Sequence, residues 1–259
     1  MLAKLTSAVA ESYRSVPKLI AAAPLLVLAP IAAEALQHAI EWWIGMFSGS
    51  ALAPSVAGDW RRPGAGLLKV STLAIVGILA ARYWAHGEDL SRAVRLDARE
   101  RQFFVGGVVI TAAALSLLVF APAFLSDTAL SPKQRRLVPA VLLLAAAALF
   151  QRRSVWAVAG LLGDRSMTKE RATALSAGRP ARFTMLALVV AIAPPMALHY
   201  ALNFTARGLG SGLLAVILAV DSLLVGAMAI LIGNIIWISY RDAQAVGAAG
   251  DPQYRPSIL

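Results

Sequence analysis

Apolar and polar positions alternate along this chain on a long scale. Runs of fourteen to twenty-six mostly apolar residues are separated by short charged stretches. A hydrocarbon layer about 30 Å thick takes roughly 20 helical residues to cross, so the runs predict membrane-crossing helices. Six are predicted, at approximately residues 18–46, 65–85, 103–125, 136–151, 183–204 and 212–240. The third carries no charge from Phe103 to Leu125. The fourth is short because Arg152 and Arg153 follow it closely. An arginine at the centre of a span costs about 2.5–3.5 kcal/mol or more, which places this pair at an interface. The expected fold is all-α, a polytopic helix bundle forming one transmembrane domain over residues 1–259, with charged loops at 86–102 and 152–182.

Composition agrees. Hydrophobic residues make up 59% of the chain and charged residues 15%, and the mean hydropathy is +0.69. Soluble domains hold about 45–50% apolar and about 25% charged residues. With no cysteine, disulfides, thiol nucleophiles and thiolate metal sites are excluded. No P-loop occurs, and Ser166-Met-Thr-Lys169 lacks the partners that a serine nucleophile needs.

Charge gives a direction. With the N-terminus inside, 17 of the 24 Lys and Arg residues fall on inner segments, which predicts both termini in the cytoplasm. The excess of Arg over Lys and the abundance of Ala suggest a GC-rich bacterial genome, hence a bacterial cytoplasmic membrane. The net charge of +10 is read as facing anionic lipid, with Arg82, Arg152, Arg153 and Arg182 expected at headgroups. No aromatic-basic nucleic-acid motif is present. The opening residues do not read as a secretory signal, and "LTSAVAESYRSV" suits an amphipathic helix on the inner leaflet. "GEDLSRAVRLDARERQ" and "GDRSMTKERATALSAGRPAR" predict charged loop helices, the second with Ser166 as its cap candidate.

The odd spans share an Ala-Pro step, at Ala29-Pro30, Ala121-Pro122 and Ala193-Pro194, and the even spans end in "ARYW", "LFQR" and "ISYR". This rhythm suggests three related helical hairpins. On it, and on "ISYRDA" closing the last span, the chain resembles the six-helix membrane domains attached to some bacterial glycerophosphodiester phosphodiesterases and their free-standing relatives. Their soluble catalytic domain has no counterpart here, so the resemblance implies a fold and no activity.

The candidate chemistry is a polar set within apolar surroundings. Glu34, Gln37, His38 and Glu41 form one helical stripe. Counted from Lys18, Glu34 climbs about 24 Å and is expected near the outer interface. His199 and Asn203 are i, i+4 neighbours, and Asp221 interrupts the last span, with His199, Lys69 and Arg207 as partner candidates. Three readings follow. The stripe projects beyond the lipid into water, or it lines a vestibule for an ion, proton or small solute, or His38, His199, Glu34 and Asp221 hold a metal. Small residues such as Gly106, Gly107, Gly226 and Gly233 suit close helix approach and dimer contact.

No cofactor is implied. With no specific catalytic motif, the favoured expectation is a non-catalytic structural or accessory subunit that contacts lipid and partner subunits or copies of itself. A small permease using the polar cluster and Asp221 is the alternative, and an intramembrane metal-dependent enzyme a second. The topology has a direct check. A cysteine introduced as Leu259→Cys should resist a membrane-impermeant maleimide added to intact cells and react once the membrane is opened.

Overall fold

The computed structural model describes residues 2–49, 59–125, 128–131, 154–176 and 179–250, with isolated positions between 134 and 145. No strand occurs among the described residues. The expected fourth span, 136–151, falls largely outside them. In chain order the helices are α1 (Leu2–Ala22), α2 (Pro24–Trp43), α3 (Arg61–Ala85), the short α4 (Leu90–Val94), α5 (Ala98–Phe124), the short α6 (Lys169–Ser176), α7 (Arg179–Thr205) and α8 (Ser211–Gly250). A further helical stretch covers 154–162.

The single helix expected over 18–46 is two helices meeting at 103°. The cause is Pro24. Proline crowds the residue before it out of the helical region, and Ala23 accordingly takes φ −141 and ψ 60. Its N–H still closes α1 on the Leu19 carbonyl (2.8 Å), while its own carbonyl accepts from Leu26 in α2 (3.1 Å). The bend changes every depth counted along this helix. Glu34 lies ten residues, about 15 Å, beyond the elbow, in the middle of α2 and not near its outer end.

Three helices, Arg61–Ala85, Leu186–Thr205 and Ser211–Ala249, are long and apolar enough to cross a membrane, and the bent pair α1–α2 makes a fourth if it counts as one span. Around the first half of α8, Leu213, Val216, Val220 and Leu223 point outward, while Leu214, Leu218, Asp221, Ser222 and Val225 are buried. The outward face is therefore more apolar than the inward one, the reverse of a soluble helix. Such surfaces mark contact with lipid or protein. Together with the apolar helices, they suggest a membrane-embedded protein.

α8 is the axis. At 40 residues it is about 60 Å long, and α1, α2, α3 and α7 all pack on it. Its closest approach is to α3. A Cβ placed on Gly233 would sit 2.2 Å from the Gly77 carbonyl oxygen and 2.6 Å from the Ala80 Cβ. A Cβ on Gly226 would meet Ile31 at 2.5 Å. These glycines, expected to serve contacts between chains as well, are used within the chain.

α1 crosses the opposite end of the bundle from Trp43 and Ser211. Its buried positions Leu5, Ala8, Ser12 and Leu19 recur at helical spacing and face the core. Tyr13 donates to the Ala191 carbonyl (2.7 Å), and Asn234 of α8 donates to the Ser12 carbonyl (2.9 Å). Arg241 pairs with Glu11 at 2.9 Å, and Lys4 with Asp242.

The loop helices differ in detail from expectation. "GEDLSRAVRLDARERQ" is broken in two. Asp89 caps α4 by accepting from the Arg92 N–H (3.1 Å). Asp97 accepts from the Glu100 N–H (2.8 Å) while the Glu100 carboxylate accepts from the Asp97 N–H (3.1 Å), the reciprocal pair of a capping box. These bonds, with Arg165 beside it, hold the Asp97 carboxyl below its usual range. The cap of α6 is Thr168, whose hydroxyl accepts from the Arg171 N–H (3.3 Å). Ser166 instead donates to Asp164 (2.6 Å).

Gly233→Val should lower stability by about 1–3 kcal/mol or more, because the nearest obstructing atom is a backbone oxygen and cannot easily give way. Gly106→Ala, where nothing lies within 4 Å, should cost nothing and gain up to about 1 kcal/mol. Thermal melts of both variants in one detergent test the pair.

Candidate functional site

Helix geometry assembles the site. Glu34, Gln37, His38 and Glu41 lie on one face of α2. On α3, Arg62, Gly66 and Lys69 lie on one face at i, i+4, i+7. The two helices run antiparallel, and their polar faces meet in register. Lys69 Nζ reaches Glu34 Oε2 at 2.8 Å, and Arg62 Nε donates to Glu41 Oε1 at 2.7 Å. Seven residues separate the paired groups on each helix. Between them Gly66 leaves room for Gln37, whose Oε1 would lie 3.7 Å from a Cβ there.

α8 enters from the other side. Asp221 is completely buried (0% exposed) and bonded three times. His38 Nε2 lies 2.9 Å from Oδ2, Asn203 Nδ2 donates to Oδ2 at 2.7 Å, and His199 Nδ1 lies 2.8 Å from Oδ1. His38 is the hub. Its Nε2 also lies 3.2 Å from Glu34 Oε1, and its Nδ1 lies 3.4 Å from Glu41 Oε2. Both ring nitrogens therefore face carboxylate oxygens, which only accept. Each meets its partner as a donor only when both carry hydrogen. Gln37 Nε2 donates to Glu41 Oε1 at 3.0 Å.

All seven polar residues expected to act together, from α2, α7 and α8, thus converge. The stripe expected to face water is buried, with Glu34 at 0%, His38 at 2% and Glu41 at 4% exposure. A buried carboxylate is costly unless paired, and the pairs here come from three neighbouring helices. Asp221 takes His199 from its expected partners, whereas Lys69 goes to Glu34. Arg207 lies over the Phe204 ring, 5.6 Å from its centre.

The cluster is not sealed. A cavity of about 620 Å³ lies against it, lined by Glu34, Glu41, Arg62, Lys69, His199 and Asn203, with Tyr200, Phe204 and Arg207 also contributing. Tyr200 and Phe204 are exposed. The cavity therefore has a charged floor and an aromatic rim. Of the basic stripe of α3, Lys69 was anticipated, as a partner of Asp221, whereas Arg62 was not. Its signal is the Arg62-to-Lys69 interval, which equals the Glu34-to-Glu41 interval.

Arg82 was expected at lipid headgroups. It is instead 1% exposed, and its guanidinium donates to the carbonyls of Ala93 (2.7 Å), Leu161 (2.6 Å) and Arg95 (2.9 Å) and to Glu100 (3.1 Å). Its planar fork of five donors fastens α3 to the loops at the α1 end, so it is not available to lipid. Arg152 and Arg153 lie outside the described residues, as does the side chain of Arg182. His86, read as a solvated loop residue, is half-buried. Burial and the neighbouring Arg82 push its imidazole below the ordinary value.

The chain matches no known family model, no curated protein and no solved structure. The structure defines a class: a helical, apolar-surfaced bundle with a charged interior that opens on a cavity.

Lys69→Met should leave Glu34 buried without its cation and cost about 3–5 kcal/mol. The double variant Lys69→Met/Glu34→Gln should recover most of that loss. Melting curves of the single and double variants measure the coupling.

Proposed function

We propose that this chain is a multi-pass membrane protein that binds a small charged solute in the cavity and passes it, with the Asp221 network relaying protons. One observation carries the reading. A wholly buried acid in the first third of the apolar helix α8 is bonded to two histidines, and this network opens through Glu34 and His199 on a cavity. Ionisable groups inside a membrane are costly and concentrate on solute and proton pathways. Packing alone does not require such a network, since apolar residues in place of buried ion pairs are often as stabilising or more so.

The accessory-subunit alternative draws on small-residue faces. Gly233 and Gly226, its strongest candidates, are filled by Gly77, Ala80 and Ile31 of the same chain, which favours the cavity reading. The proposal keeps six crossings, with both termini cytoplasmic. Two features support it. Basic residues favour one side by 17 to 7, and α5 forms one 27-residue helix.

Purified protein in liposomes carrying an entrapped pH-sensitive dye should dissipate an imposed proton gradient. Asp221→Asn should reduce that flux by about tenfold or more while the helical circular dichroism is retained. Asp89→Asn, in an exposed loop, is the control. Equal flux from wild type and Asp221→Asn would overturn the relay.

A further inference from the structure

We infer that the floor of the cavity is a site for a divalent transition-metal ion, with Glu34, His199 and Asp221 as ligands. The inference rests on reading the cavity as a binding site and names what its floor takes.

Three observations carry it. First, one potential ligand atom from each of Glu34, His199 and Asp221 lies within 4.8 Å of the others. Donors bound to one ion at about 2.0–2.2 Å fall within that separation. They come from α2, α7 and α8, so one ion would join three helices. Second, Glu34 is entirely buried, and its two oxygens face only the Lys69 ammonium at 2.8 Å and the His38 ring at 3.2 Å, neither in good hydrogen-bond alignment. A carboxylate offers about four lone-pair sites, so open ones remain beside an imidazole, where they are set to ligate. Third, Glu34 and His199 both line the cavity. An ion there keeps coordination positions facing open space, as solute-handling and water-activating sites do.

The donor types select the ion. One imidazole with two carboxylates suits zinc, iron or manganese, and without thiolate it does not favour copper(I). A supporting shell is present. Asn203 and His38 both contact Asp221 Oδ2 and fix the carboxylate's orientation, the role outer partners play around metal ligands. Lys69 is the built-in competitor, an ammonium already beside Glu34.

The test uses the full chain in detergent, stripped with a chelator and titrated with zinc sulfate by calorimetry, with elemental analysis of the product. Wild type should bind one zinc per chain. His199→Gln and Glu34→Gln should each weaken binding by about tenfold or more, and Asn203→Ala by about 10–100-fold. His86→Gln removes the histidine outside the cluster and should leave binding unchanged. Lys69→Met, which removes the competitor, should tighten binding, and zinc should raise its melting temperature by mass action. Folded wild type that binds no zinc overturns the inference whatever the variants do. So does binding that His86→Gln weakens while His199→Gln and Glu34→Gln do not. The outcomes separate from those of the flux experiment. Flux lost in Asp221→Asn without zinc binding by wild type removes the metal and leaves the cavity reading. Zinc binding with unchanged flux removes the relay and leaves the metal.

Discussion

A carboxylate without water must find donors, and much of this structure is arranged around that requirement at Asp221. Its three partners, His38, His199 and Asn203, come from α2 and α7, so satisfying one side chain fixes both helices against α8. His38 then draws in Glu34 and Glu41, and these draw in Lys69 and Arg62 from α3. Four helices are thus held by charge at one level. Apolar association cannot supply this specificity in a membrane, where lipid tails compete equally for apolar side chains.

The other end of the bundle meets the same demand with backbone partners. Arg82 is nearly as buried as Asp221, and it spends most of its donors on the carbonyls of Ala93, Leu161 and Arg95. Asn234 bridges the Ser12 carbonyl and the Trp84 indole N–H (2.5 Å). At the second polar level, one residue from Asn234, the Gly77–Gly233 contact brings α3 and α8 so close that no side chain fits. Helices so constrained at two heights have little freedom to slide past one another.

The sequence made the composition of the site legible but not its depth. Glu34, Gln37, His38 and Glu41 share a face at 100° per residue, and their convergence with His199, Asn203 and Asp221 followed from placing each near one end of its span. Their burial did not follow, because the helix was counted from Lys18 and the constraint that Pro24 puts on Ala23 was overlooked. The partnership of α2 with α3 was available in the equal intervals Glu34–Glu41 and Arg62–Lys69, yet it takes an antiparallel pairing to see it. Arg82 was misread for a plain reason. An arginine beside an apolar run looks the same whether its donors meet phosphate or peptide carbonyls, and only the fold of residues 93–100 and 161 decides. The loop caps at Asp89 and Asp97 were written in the chain as acids directly before helix starts, three residues ahead of the N–H each accepts from, whereas Thr168 lay hidden behind a second hydroxyl at Ser166.

The length of α8 has an electrostatic consequence. One continuous helix about 60 Å long passes through two dielectric regimes. Asp221 is wholly buried, and buried attractions such as those around it are screened only weakly by the salt in the buffer. At the far end the pairs Arg241–Glu11 and Lys4–Asp242, which clasp α1, are partly exposed, where the Debye length is about 8 Å at physiological ionic strength. Added salt therefore loosens the clasp on α1 while sparing the grip on α2 and α7, and the two ends of a single rod can be addressed independently.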